Sequence, residues 1–443
     1  MDLQQVNEVA VKEAKKLGAD DAVAICARGA DGMIRFANNS VTTVNYLNET
    51  ELTVYLAKDK RRAIASTSNM EPESVRKFVQ DLYGTAKGLP EAEYVPLPRK
   101  ATKHSPSPLG YDKSMEGAGD ELPRLAKRAI SASTAAGSKR SAGVIDAGTV
   151  EYSLLASNGT SGTDKRSSIT LNIRSFAERD ASGHGLSCSS TLAGLDPEEA
   201  GTRAGQDAKK MEEASEPEAG KYTVLLSPTV ASNLIETVGS SASAFSVEAG
   251  LSCLAEKVGK KVAADQFTLT DHGTVKGGLG GRVFDDEGVE TGSTAIIEKG
   301  TLKGYLHNLT TAEKWKTEST GNAGFVTPHP WNLEVSAGDS SYDEMVGEME
   351  KGIILTSNWY TRFKNYRAGE FSTVPRDGAY LVEGGKISRP LKGMRAGDDL
   401  LRMLSSVRLA SRDREWIQWW EVDTPTLCPW VMVDGMTITR AYG

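Results

Sequence analysis

Residues 33–67 read MIRFANNSVTTVNYLNETELTVYLAKDKRRAIAST, a long run in which apolar and polar side chains alternate between turn residues. A period of two places every second side chain on one face of a strand, so this segment is predicted to fold as antiparallel β-structure with one face to bury. Short strand-like runs recur through the second half of the chain, separated by glycine pairs: GGLGGRVFDDEG, AIIEKGTLKGYLHN, KGIILTSNW, GAYLVEGGKI and CPWVMVDGMTITRAYG. Many strands with few helices between them predict an α+β fold with a large, mostly antiparallel sheet.

Helical spacing appears at a few places. Leu3 to Leu17 reads as a helix stopped by Gly18, and Val75, Phe78, Val79 and Leu82 form one apolar face behind Pro72. GDELPRLAKRAISASTAAG and LDPEEAGTRAGQDAKKMEEA read as two more helices, and AGDDLLRMLSSV as a late one. The Pro-rich LPEAEYVPLPRKATKHSPSPLG is a linker, and SEPEAGKYTV marks a second boundary. Three domains are expected: a helix–β-meander N-terminal α+β domain over 1–100, a middle α/β domain over 112–216, and a β-rich C-terminal domain over 221–443.

Charge and cysteine usage narrow the classes. A net charge of -7 without a basic stripe argues against nucleic acid as a partner. No run approaches the length of a membrane span, and the charged N-terminus lacks a signal-peptide core. Cys26, Cys188, Cys253 and Cys428 lie far apart, as reduced thiols of a cytoplasmic protein would.

Compact catalytic motifs are scarce. KGGLGG at 276–281 is followed by a turn and strand pattern where a phosphate loop needs a helix. Asp285, Asp286 and Glu287 form an acidic turn that reads as a solvated connection between strands. No two of His104, His184, His272, His307 and His329 stand at ligand spacing, and neither HExxH nor HxH occurs. Trp416, Trp419, Trp420 and Trp430 fall within fifteen residues, which fits either core packing or a contact surface.

The segments LLSPTVASNLIETVGSS, FDDEGVETGSTAIIEKGTLKGYLHNLTTAEKWKTESTGNA and AGEFSTVPRDGAYLVEGGKIS, in that order, resemble the TldD/PmbA family, and the resemblance covers essentially the whole chain. It implies two kinds of member. The TldD kind binds zinc through an H-E-x-x-x-H helix and a later cysteine and hydrolyses peptides. The PmbA (TldE) kind lacks these ligands and pairs with the first. Set on that helix, Ile235 and Ser240 stand where the histidines would be, while Glu236, Val238 and Gly239 match. The segment expected to carry the cysteine reads SRDREWIQWW, and Cys428 lies beyond it. Isoleucine has no donor atom and a serine hydroxyl is a weak zinc ligand.

The resemblance therefore implies a degenerate site with no catalytic, cofactor or metal residues in this chain, zinc being carried by a TldD-like partner. It implies a non-catalytic subunit of a dimeric metallopeptidase that processes unfolded or short peptides, including some peptide-antibiotic precursors in bacterial members. Two alternatives stay open: a stand-alone homo-oligomeric peptide-binding protein, and a hydrolase using another site, such as the 285–287 turn with His307.

Overall fold

The computed structural model describes residues 1–178 and 181–441. Tyr442 and Gly443, read above as part of the last strand, lie outside the described residues, as do Arg179 and Asp180.

The early alternation builds three long antiparallel strands, β1 (Asp21–Ala37), β2 (Ser40–Lys58) and β3 (Arg61–Thr67). Four more follow: β4 (Lys103–His104), β5 (Arg140–Ala156), β6 (Ser161–Phe176) and β7 (Ser182–Ser189). All seven form one sheet, in the order β3-β2-β1-β5-β6-β4 with β7 also on β6. β1 pairs β5 in unbroken register from Val23↔Ala156 to Phe36↔Gly143, so the sheet runs straight across the Pro-rich linker.

Alternation decides what each face buries. Ala22, Ala24 and Cys26 pack against α1 (Leu3–Leu17) and α2 (Pro72–Gly88). Ile34 and Phe36, of the same parity, pack against α3 (Leu122–Ala135) and α4 (Pro197–Lys210). Val23 and Ile25 point the other way, onto Leu97 and Phe284.

Helix α4 is wedged between α3 and β7 by glycines. A Cβ at Gly201 would lie 2.2 Å from the Ala129 carbonyl oxygen, and one at Gly205 2.3 Å from that of Ser133. Gly201→Ala should therefore lower the melting temperature by several degrees, since overpacking costs about 1–3 kcal/mol. Helix propensity alone predicts the opposite sign, because alanine is favoured over glycine by ~1 kcal/mol in a helix. A variant melting at or above wild type would show that the helices have room.

The second sheet is larger and mostly antiparallel. Its strands are β8 (Gly220–Leu226), β9 (Leu269–His272), β10 (Ser293–Glu298), β11 (Thr301–Leu302), β12 (Leu333–Val335), β13 (Lys351–Leu355) and β14 (Asn358–Asn365). β15 (Glu370–Pro375), β16 (Ala379–Glu383), β17 (Lys386–Pro390), β18 (Met394–Asp399), β19 (Val407–Trp419) and β20 (Val422–Arg440) complete it. β20 is the hub, pairing β8, β12, β18 and β19. Helix α5 (Pro228–Ser241) packs its apolar residues into the core of this sheet. The fold is α+β, with helices gathered on the first sheet and a strand-rich C-terminal half.

GGLGGRVFDDEG forms no strand; it is a loop. Asn332 binds it, accepting from Gly280 N at 2.9 Å and donating to the carbonyls of Gly280 and His272, both at 2.9 Å. Gly281, at φ 78°, has no room for a Cβ, which would fall 2.0 Å from the Gly273 carbonyl oxygen. Among the described residues no helix is long and apolar enough to cross a membrane.

Candidate functional site

Helix α5 starts where Ser227 caps it, its side chain accepting from Val230 N at 3.2 Å, with Pro228 in the first turn. Ile235 is 1% exposed and belongs to the core of the second sheet, whereas Ser240 faces solvent. Positions five apart on a regular helix are separated by about 140° around the axis, so the two side chains diverge. Gly239 lets the helix approach Leu333: a Cβ there would lie 2.6 Å from a Leu333 methyl.

Glu236 is half-buried, and Thr424 N donates to its Oε1 at 2.5 Å. Burial pushes its pKa up to about 7, the nearby Asp423 adding to the effect while the Thr424 amide opposes it. Asp423 also lines a cleft of about 560 Å³ between the two sheets, together with Asp31, Asp146, Leu47, Trp419 and Trp420. Glu236 thus binds the backbone of the residue next to Asp423, itself part of the cleft wall.

The tryptophan cluster divides between its two readings. Trp419 is buried with Leu186, Ile417 and Val422, while Trp420 is 56% exposed beside the cleft. A polar knot beneath them has no signal in the sequence. Asn233 donates to the Glu421 carbonyl at 2.6 Å and accepts from Asn358 Nδ2 at 2.9 Å and Thr361 Oγ1 at 2.5 Å. These bonds fix α5 to the turn after Trp420. Isolated asparagines far apart in the chain announce no such contact.

A zinc site needs three or four donors converging at about 2.0–2.3 Å, and the residues around α5 do not fit one. Ile235 offers no lone pair, and Ser240 points away from it. Cys428 is buried, its thiol pushed up to about 12 by burial. Among the described residues no three His, Cys, Asp or Glu side chains form a metal-holding group. The histidines are engaged separately and are less exposed than free-standing ones would be. His184 meets Ser357 Oγ at 3.0 Å and packs at a tilt against the Trp419 ring, and His104 meets the Gly288 carbonyl at 2.9 Å. His272 lies 3.2 Å from Glu334.

The acidic turn is not solvated, contrary to its sequence reading. Asp285 is fully buried, its Oδ1 accepting from Glu287 N and Val289 N at 2.9 Å each and its Oδ2 from Ala323 N at 3.0 Å. Glu287 accepts from Leu309 N at 2.8 Å. His307 is buried, 3.2 Å from Thr311 Oγ1, and Glu248 is the charge that acts on it. The turn is a clamp on backbone amides. Asp271 is a second such clamp, accepting from Trp331 N at 2.7 Å and from Nδ2 of Asn322 in the STGNA segment at 2.6 Å.

The two sheets, α5 with its half-buried glutamate and the neighbouring cleft define an α+β protein whose candidate site lies where the sheets meet. Models of the three PmbA/TldA metallopeptidase domains match the chain: domain 1 over residues 22–86, the central domain over 115–212 and the C-terminal domain over 219–440. The chain belongs to the PmbA/TldD family. A metalloprotease of Methanocaldococcus jannaschii is 34% identical over 211 residues, 44% of each chain. The chain spans less than half the length of the curated relatives it matches first. The fold is shared with a Thermotoga maritima protein assigned as a candidate modulator of a DNA gyrase, with TM-score 0.87, 24% identity and coverage of 98% of this chain and 100% of that one. TldE from Thermococcus kodakarensis shares it too, with TM-score 0.86, 20% identity and the same coverages.

Proposed function

We propose that this chain is the non-catalytic, TldE-like subunit of a TldD/TldE-type zinc metallopeptidase of the cytoplasm. A TldD-like partner carries the zinc and cuts unfolded or short peptides; this chain helps to enclose them. The observation that carries the reading is the chemistry of Ile235 and Ser240, a side chain with no donor atom buried in the core and an exposed neutral hydroxyl, at the positions where the resemblance puts the histidines of the metal-binding members. Glu236 then has no metal-bound water to activate, and its carboxylate serves the Thr424 amide instead.

The test is zinc content and cleavage of an unstructured, fluorescence-quenched peptide in three preparations: this chain, a TldD-like partner, and both mixed. Hydrolysis only in the mixture, with zinc tracking the partner, is expected. Stoichiometric zinc with cleavage by this chain alone, lost in Glu236→Ala, would overturn the proposal. Full activity of the partner alone would remove the need for this subunit. Peptide binding by this chain with no effect on any partner would favour a stand-alone binding protein.

A further inference from the structure

Three adjacent strands of the second sheet set a serine, a histidine and a glutamate side by side. Ser293 opens β10 and stands directly opposite His272, the last residue of β9. Glu334 of β12 pairs with Thr270, two residues before His272, so its side chain shares the face of that histidine. The contacts follow from this register. His272 Nδ1 lies 2.7 Å from Ser293 Oγ, and its Nε2 lies 3.2 Å from Glu334 Oε2. The other carboxylate oxygen of Glu334 accepts from Arg414 Nη1 at 2.6 Å, which holds the carboxylate in place.

These partners assign the protons. A carboxylate only accepts, so the neutral imidazole carries its hydrogen on Nε2, towards Glu334. Nδ1 is then the acceptor, and the Ser293 hydroxyl donates to it. A hydroxyl within hydrogen-bond reach of a base, with the base oriented by a third group, is the arrangement of an activated nucleophile. The serine is also accessible. Ser293 and Gly292 before it are exposed, and a Cβ at Gly292 would meet nothing within 4 Å. The His272 side chain is 17% exposed. None of the three residues lines the cleft beside Trp420.

We infer that Ser293 is a nucleophile that takes acyl groups from small activated esters, with His272 as its general base and Glu334 as the positioning residue. Ser293 Oγ bonds to the ester carbonyl carbon while its proton passes to His272 Nδ1. The bond from that carbon to the leaving oxygen breaks, and the leaving oxygen takes the proton from Nδ1. Water then attacks the acyl carbon, giving a proton to Nδ1. The Ser293 oxygen leaves with that proton and the carboxylic acid is released. An exposed serine holds a substrate by few contacts, so the ester must bring its own reactivity, as an aryl ester does and an amide does not. The site uses no metal and no residue of α5, so it stands apart from the peptidase reading.

The experiment treats the full chain with a fluorophosphonate probe. Its phosphorus is attacked as an acyl carbon would be and fluoride leaves, giving a stable adduct that mass spectrometry can place. One adduct per chain, on Ser293, is expected, with matching loss of p-nitrophenyl acetate hydrolysis. His272→Phe should slow the labelling at least about a hundredfold, the size of a lost general base. Glu334→Gln should slow it less, and Glu334→Asp should recover part of the rate, which loss of packing alone would not predict. The wild-type chain unfolded in urea should leave Ser293 unlabelled, so the result does not depend on any variant folding. Three results would overturn the inference: no adduct on Ser293 in the folded chain, equal labelling of Ser293 in urea, or equal labelling in folded His272→Phe. None of them touches the zinc and cleavage readouts of the mixing experiment.

Discussion

Replacing Asp285 by alanine should cost on the order of 3–5 kcal/mol of stability, from three buried amides each losing an acceptor worth about 1–3 kcal/mol less any relaxation. The amides belong to Glu287, Val289 and Ala323, so the loss would loosen both the acidic turn and the segment carrying Asn322. Asp285→Asn is the sharper variant. Both carboxylate oxygens are in use, and an amide must turn an NH2 group towards one of the donors. We therefore expect the asparagine to recover only part of the loss. Urea unfolding followed by circular dichroism would measure it; an asparagine variant as stable as wild type would show that the clamp is dispensable.

Glu287 should make the protein less stable as pH rises through neutrality. Burial raises its pKa to about 8, with Asp285 and Asp286 repelling its charge while the Leu309 amide and Arg62 act the other way. An acid raised in the folded state keeps a proton that the unfolded chain releases. Its contribution is complete below the ordinary 4.5, declines as pH rises, and is gone above about 8. The ceiling is roughly 4–5 kcal/mol across that window. Glu287→Gln keeps an oxygen for the Leu309 amide but cannot ionise. The variant should melt above wild type at pH 8 and show a flatter profile between pH 5 and 8. Parallel profiles would mean that Glu287 ionises freely in the folded protein.

These two carboxylates also show where sequence reading reaches its limit. Helix α1 was fully legible because its signals are local: Asp2 and Gln5 form a capping box, and Gly18 closes the helix at φ 84°. The apolar faces of β1 and the overall α+β character were legible for the same reason. Asp285 was misread as solvated because one of its donors, Ala323, comes from a distant segment. Pairing of β1 with β5 is invisible for a similar reason, since alternation reports a buried face without naming the neighbouring strand. At the candidate site, the divergence of Ile235 and Ser240 was legible from helix geometry, since the two stand five residues apart on α5. The Asn233–Asn358 knot and the cleft beside Trp420 depend on tertiary contact and had no pattern to betray them.

The unbroken register between β1 and β5 has a consequence for how the gene could be divided. Arg99 and Lys100 are exposed in the linker, beyond the anchor of Leu97. A trypsin nick there would sever the chain without releasing either piece, because fourteen residues on each side remain stitched as adjacent strands. Divided at that point, each half would leave bare the strand edge that the other covers in the intact chain.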